Sequence, residues 1–251
     1  MEHVWVYGDG PLAVAVAEQA RQAGFEVDVC YEMPFSRDDM PPYPATKPLV
    51  IVEAVIADRA RKADVLRHLG RAMTGETLLL SATLNASATE AGMWSGRPER
   101  TVGWAALPPL ASGVVEGYAG RRTTHAACEA AHAWWARLGK TMVLVGDTAG
   151  GVLPRTVAAL VNEAAFAVQE QVATPEDIDR AMQLGTNYPH GPLAWGDQIG
   201  LDQVLGILEA LCIHHDPARY RPAALLRQMV QAGEWGRRTG RGFYTYAEAD
   251  A

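Results

Sequence analysis

Six residues near the start, Gly8-Asp9-Gly10-Pro11-Leu12-Ala13, constrain the fold more than any other stretch. They follow a short apolar run, residues 3–7 (HVWVY), that reads as a buried strand. They open an alanine-rich stretch over residues 11–23 that reads as a helix. Proline suits a first helical position, because its missing N–H would have no helical partner there. Gly24 follows as a C-terminal cap would. Strand, glycine turn and helix in this order fit the G-x-G-x-x-G/A fingerprint. Gly8 allows the tight turn, Gly10 lets backbone approach a pyrophosphate, and Ala13 permits close packing of helix on strand. The helix N-terminus adds N–H donors and a partial positive charge. Gly8, Gly10 and Ala13 are therefore candidate cofactor-binding residues. Three features pull the other way. Asp9 puts a negative charge beside the expected phosphates. The acidic residue that grips a ribose roughly 20 residues on falls on Tyr31, and its neighbour Glu32 points to the opposite face of a strand. Two readings stand: nucleotide binding, and a Rossmann-shaped domain that keeps the turn without the ligand.

Further along, residues 26–31, 49–55, 77–81, 100–104 and 141–145 read as strands, and 58–73 (capped by Asp58) and 123–138 as helices. Alternating strands and helices predict a parallel sheet. The segment 32–48, with Pro34, Pro41, Pro42, Pro44 and Pro48, reads as irregular loop. After Gly150 the strand-like runs vanish. Residues 156–172, 175–184, 201–211 and 222–232 read as helices, and Thr174 with Asp177 resembles a capping box. The expected architecture is an α/β Rossmann-like domain with a parallel sheet over residues 1–148, followed by an all-α domain over 149–251.

A net charge of −7 argues against an electrostatic nucleic-acid binder. No apolar run is long enough to span a bilayer, and no signal peptide is visible. Cys30, Cys128 and Cys212 are odd in number and far apart, with no metal-binding spacing. Each lies in an apolar stretch and reads as a buried small hydrophobe. This usage fits a reducing cytoplasm.

The second half carries an ordered series of motifs: Asp147-Thr148-Ala149-Gly150, Arg155, Asn162-Glu163-Ala164, residues 176–182 (EDIDRAM), 187–195 (NYPHGPLAW), 197–202 (DQIGLD), Arg219-Tyr220-Arg221-Pro222, and 236–244 (GRRTGRGFY). This series closely resembles the C-terminal domain of the 3-hydroxyacyl-CoA dehydrogenase family. The stretch 187–195 looks most like the phenylacetate-pathway 3-hydroxybutyryl-CoA type, in particular the second helical unit of its tandem proteins. The resemblance implies a Rossmann-like domain plus a helical domain, and NAD-dependent oxidation of a 3-hydroxyacyl-CoA in fatty acid metabolism. It implies a homodimer formed largely through the helical domain, and small-molecule substrates, acyl-CoA among them, rather than nucleic acid or membrane partners. NADP is not excluded, since Tyr31 offers no carboxylate against a 2′-phosphate. Arg238 aligns with a basic residue that reaches the cofactor in the family, and Lys62 with a lysine near it. Their plain alternatives are a surface arginine and an exposed helix lysine. Asp197 and Asp202 suit helix caps.

The family's catalytic residues are largely missing. Its Gly-x-His-Phe-Phe-Asn-Pro motif matches residues 103–109 (GWAALPP), so Ala105 replaces the histidine and Pro108 the asparagine. A methyl group cannot take a proton, and proline offers neither amide nor N–H. The Ser-Asn-Thr-Ser loop reads Ser81-Ala82-Thr83-Leu84, and a later asparagine is Pro154. The family's glutamate partner has a match in Glu116, the remaining catalytic candidate. His68, His125 and His132 look solvent-facing, and His214 and His215 end a helix. His190, in the 188–192 turn (YPHGP), is the candidate for a relocated base. Glu53 and Asp58 sit at a sheet end where ligands bind. The 32–48 loop looks too short for the family's CoA-holding insertion. Two functions follow: a divergent NAD-dependent dehydrogenase, or a non-catalytic homologue that binds a nucleotide or a partner.

Overall fold

The computed structural model describes residues 2–31, 43–44 and 46–247. The chain divides into two compact units, Met1–Gly151 and Val152–Ala251. Most of the proline-rich loop expected over 32–48 lies outside the described residues.

The first unit is built on a seven-stranded sheet of order β2-β1-β3-β4-β5-β6-β7. Its strands are β1 (His3–Gly8), β2 (Glu26–Cys30), β3 (Val50–Ala54), β4 (Leu78–Ala82), β5 (Thr101–Ala105), β6 (Val114–Ala119) and β7 (Thr141–Val145). Its helices are α1 (Pro11–Gln22), α2 (Arg59–Ala72), α3 (Ala88–Ser95) and α4 (His125–Arg137). β3 and β4 are buried along their whole length, the signature of strands covered on both faces. One face packs against α2 and α3 through Trp5, Ile51, Leu66, Leu69 and Leu79. Gly8 and Ala13 are small for a reason. A Cβ on Gly8 would lie 2.3 Å from the Ala13 Cβ and 2.9 Å from the Ala54 carbonyl.

The sheet departs from the all-parallel expectation at one place. β6 runs antiparallel to β5. Its sequence, VVEGYA, breaks the apolar run with Glu116 and Gly117, which hid it from periodicity. α3 is also new, although its start was legible: Ser87 accepts from the Glu90 N–H while the Glu90 side chain accepts from the Ser87 N–H, a complete capping box. Asp58 caps α2 as expected, accepting from the Arg61 N–H.

The second unit is helical: α5 (Leu153–Gln169), α6 (Pro175–Thr186), α7 (Pro192–Ile199), α8 (Leu201–His214) and α9 (Ala224–Gln231). α7, read from sequence as turn, begins at Pro192 in a position that needs no N–H donor. Buried carboxylates tie the unit together. Asp179 of α6 accepts from the Leu193 and Ala194 N–H groups, each at 2.8 Å, and so caps α7 from outside. Asp197, expected as a helix cap, instead lies within α7 and holds the 243–246 segment. It accepts from the Phe243 and Tyr244 N–H groups at 3.0 Å and from the Tyr246 hydroxyl at 2.9 Å. Burial pushes this carboxyl above the usual range, and the Tyr244 and Phe243 amides pull it back in part. A Cβ on Gly242 would lie 2.1 Å from an Asp197 oxygen, which explains the glycine. Asp202 sits in the first turn of α8 and pairs with Arg238 rather than capping.

Asp197→Ala strands three half-buried donors at once. We expect it to lower stability by about 2 kcal/mol or more in urea unfolding. An unchanged midpoint would show that the 243–246 segment is not anchored this way.

Candidate dinucleotide site

The carboxyl ends of β1, β3 and β4 meet around one turn, residues 55–57. Val55 and Ile56 are buried, so their peptide groups need partners other than water. Side chains supply them. The Val55 N–H donates to Glu53 Oε1 at 2.6 Å, and the Val55 carbonyl accepts from Lys62 Nζ at 3.3 Å. The Ile56 and Ala57 N–H groups donate to the Asp9 carboxylate at 2.9 and 3.0 Å. The Ile56 carbonyl accepts from Asn85 Nδ2 at 2.9 Å.

This arrangement alters the reading of two residues. Asp9, a charge beside the phosphates by sequence, has its carboxylate committed to the two amides of the turn. Lys62 is not an exposed helix lysine: it and Glu53 are 0% exposed. Its ammonium donates to Glu53 Oε2 at 2.7 Å and to the Ala82 carbonyl at 2.7 Å, besides Val55. Three donors meet three acceptors. Lys62 therefore shapes the strand ends from beneath. Burial pushes its pKa down, opposed by the attraction of Glu53. Ser81 Oγ completes the cluster with a 2.6 Å bond to Glu53 Oε2.

The glycine turn sits above. Gly10 is the N-cap of α1 in extended backbone (φ −158°), and no side chain caps that helix. Of the first-turn groups, Pro11 carries no N–H and the Ala13 N–H donates to the Gly10 carbonyl at 3.1 Å, so the Leu12 N–H is the one left for an anion. At the exit of β2, burial pushes the Tyr31 hydroxyl up while the neighbouring Arg21 guanidinium pulls it back in part.

A row of side chains crosses the same face of the sheet in register: Tyr7, Glu53, Ser81, Gly103 and Tyr118. One step on, Ala105 lies directly opposite Glu116. The half-buried Glu116 carboxylate accepts a bond from the Tyr118 hydroxyl. Tyr118 and Asn85 were both missed by sequence reasoning. The signal for Asn85 was an asparagine among apolar neighbours just past a strand end. Gly103 is fixed by packing, since a Cβ there would lie 2.4 Å from Thr83 and 2.9 Å from Tyr118.

The other candidates lie elsewhere. His190 is exposed and edge-on to Trp195. His68, expected to face solvent, is half-buried and stacked on Tyr43 at 4.3 Å. His125 and His132 are exposed. Cys128 is buried, but Cys30 and Cys212 are only partly so, and none of the three forms a disulfide among the described residues. Arg238, in the helical unit, pairs with Asp202 and lies 4.6 Å over the Trp235 ring. Leu84, Ala105, Pro108 and Pro154 are buried. Pro154 falls in the first turn of α5, where its missing N–H costs no helical bond.

Known sequences and structures now decide the family. Residues 44–148 match the 3-hydroxyacyl-CoA dehydrogenase NAD binding domain, and residues 150–246 match the 3-hydroxyacyl-CoA dehydrogenase C-terminal domain. A probable 3-hydroxybutyryl-CoA dehydrogenase of Bacillus subtilis (strain 168) is 38% identical over 200 residues, 79% of this chain and 70% of that protein. The chain belongs to the 3-hydroxyacyl-CoA dehydrogenase family. A 3-hydroxyadipyl-CoA dehydrogenase of Escherichia coli (strain K12) is 52% identical over 90 residues, 36% of this chain and 19% of that protein. The crystal structure of the (S)-3-hydroxybutyryl-CoA dehydrogenase from Ralstonia eutropha superposes with a TM-score of 0.74 at 28% identity, covering 99% of this chain and all of that one.

Lys62→Met leaves Glu53 buried without its counter-charge and should cost about 3–5 kcal/mol. Adding Glu53→Leu removes the stranded charge but also the acceptor of the Val55 N–H and Ser81, so the double variant should lose clearly less than the sum of the two single losses in thermal or urea unfolding. Additive losses would show that the pair is not coupled.

Proposed function

We propose that this protein is an NAD(H)-dependent oxidoreductase of the 3-hydroxyacyl-CoA dehydrogenase kind, acting on a 3-hydroxyacyl-CoA or a related 3-hydroxy acid. The observation that carries the reading is the phosphate cradle. The small residues Gly8 and Ala13 bring strand and helix together, α1 has no side-chain cap, and the Asp9 carboxylate is tied to the 55–57 turn. These residues fit a dinucleotide. Gly8, Gly10 and Ala13 would hold its phosphates, with Lys62 supporting the strand ends below. Arg238 is a cofactor candidate through the family resemblance alone; within its own unit it pairs with Asp202. When bound, the nicotinamide supplies the hydride acceptor.

The chain's own residues have the proton to manage. Glu116 faces the position where the family's histidine is Ala105, and Tyr118 fixes its carboxylate. In this reading Glu116 takes the proton of the substrate hydroxyl directly. A carboxylate is a weaker base than imidazole, so turnover is slow. Tyr31 and Arg21 present no carboxylate to a 2′-phosphate, so NADPH belongs in the test beside NADH. The helical unit leaves Val172, Leu184 and Ile213 65–78% exposed, which supports a homodimer formed through it. Three cysteines without a disulfide among the described residues suit a reducing cytoplasm, and among the described residues no helix is long and apolar enough to cross a membrane. A second reading, a non-catalytic homologue that binds a nucleotide or a partner, is favoured by the buried, apolar state of Leu84, Ala105, Pro108 and Pro154.

Titration with NADH, followed by energy transfer from the seven tryptophans, tests the cradle. Saturable binding, lost in Gly10→Val, is the expected result; Gly10 has extended backbone that valine can adopt. No binding by wild type would overturn the proposal. For chemistry, Ala105→His is expected to raise the NAD-dependent oxidation of 3-hydroxybutyryl-CoA by roughly 10²–10⁴-fold, and Glu116→Gln to abolish it. Binding without turnover in either form selects the second reading.

A further inference from the structure

Asn85 lies in the turn between β4 and α3, 1% exposed. Its side-chain nitrogen is committed to the Ile56 carbonyl at 2.9 Å, which fixes the orientation of the amide. Its Oδ1 is buried and has no hydrogen-bond partner among the described residues. A buried amide oxygen without a donor is unfavourable, and such atoms call for an explanation. Several tryptophan indole nitrogens are likewise unpartnered, but they lie within the packed core, three of them in the cluster of Trp104, Trp134 and Trp135. Asn85 stands apart by its position, at the carboxyl end of a doubly wound sheet, where ligands bind.

The strand order tells which part of a dinucleotide would reach it. The ligand spans the exit of β1, with its phosphates on the glycine turn. The residue that reads the adenosine ribose sits at the exit of β2, on one side of β1. β3 and β4 lie on the other side. Asn85, just past β4 and bonded to the turn past β3, is thus on the nicotinamide side.

We infer that Asn85 is a cofactor-binding residue whose Oδ1 accepts a hydrogen bond from a donor on the nicotinamide end of the dinucleotide, either the carboxamide N–H or a ribose hydroxyl. The inference rests on the dinucleotide-binding reading above. It adds a contact made by an acceptor alone, since the donor half of the amide is spent on Ile56. It also links the ligand to the 55–57 turn, and through that turn to Asp9.

The test is calorimetry on the full chain with three probes: NADH, the reduced 3-acetylpyridine analogue (which lacks carboxamide N–H groups) and ADP. Asn85→Ala should weaken NADH roughly ten-fold and leave ADP within about two-fold, as expected for one buried donor left unpaired. Asn85→Asp keeps an acceptor oxygen and should hold NADH within about three-fold of wild type. It decides the matter if Asn85→Ala does not fold, with thermal unfolding as the check. A carboxamide contact predicts that wild type prefers NADH to the analogue and that Asn85→Ala erases the preference. A ribose contact predicts that both dinucleotides weaken together. Either result supports the inference. It is overturned if a folded Asn85→Ala binds NADH as wild type does, if Asn85→Asp loses NADH as fully as Asn85→Ala, or if ADP weakens in parallel, which would mark a disturbed turn instead. A wild type that binds neither NADH nor ADP removes the dinucleotide reading itself, a different result from an unaffected variant of a protein that binds.

Discussion

A buried turn must find partners for its peptide groups, and residues 55–57 find theirs in four side chains, three from the ends of β1, β3 and β4 and Lys62 from α2. Glu53 and Lys62 hold Val55, Asp9 holds Ile56 and Ala57, and Asn85 holds the Ile56 carbonyl. Unpaired, each such group would cost about 1–3 kcal/mol. The carboxyl ends of β1, β3 and β4 are thereby fixed relative to one another. The shape of the phosphate turn depends on this set of bonds more than on the glycines alone, because Asp9 stands between Gly8 and Gly10.

The same set explains why a charged pair sits under the glycine turn. The Glu53–Lys62 pair is fully buried, and a buried ion pair is weak evidence for stability by itself. Here its bonds to Ser81, the Val55 N–H and the Val55 and Ala82 carbonyls make it a cross-tie between adjacent strands. In the helical unit Asp179 and Asp197 act alike, each taking two backbone N–H groups and a tyrosine hydroxyl, with Tyr244 on Asp179 and Tyr246 on Asp197. Motif residues that recur through the second half are explained by packing. Gly191 and Gly242 leave room for these two carboxylates.

Much of this was legible in the sequence, and the misses have physical causes. Strong local signals gave β1, the glycine turn, α1 and the switch to helix after Gly150. β6 was missed because Glu116 and Gly117 interrupt its apolar pattern, and α7 because Gly191-Pro192 reads as a turn until Pro192 is seen to open a helix. The site was legible as a set of positions but not as a set of contacts. Asp9 read as a liability because sequence cannot show where a carboxylate turns. Lys62 read as surface because a helix lysine seldom lies fully buried, and its partner Glu53 is nine residues away on another element. Asn85 gave only the faint signal of an amide among apolar residues. The erosion of polar groups at Leu84 and Ala105 was plain from sequence, and the structure adds what remains beside it, Glu116 held by Tyr118.

In the proposed reading the 55–57 turn keeps Asp9 away from the phosphates and so leaves the glycine turn able to bind. A crystal structure of the protein with NADH tests it most directly. The pyrophosphate should lie at the N-terminus of α1, against the glycine turn and the Leu12 N–H, with the Asp9 carboxylate still on Ile56 and Ala57. A cradle that stays empty at saturating NADH, or a bound dinucleotide with Asp9 driven off the turn, would contradict it.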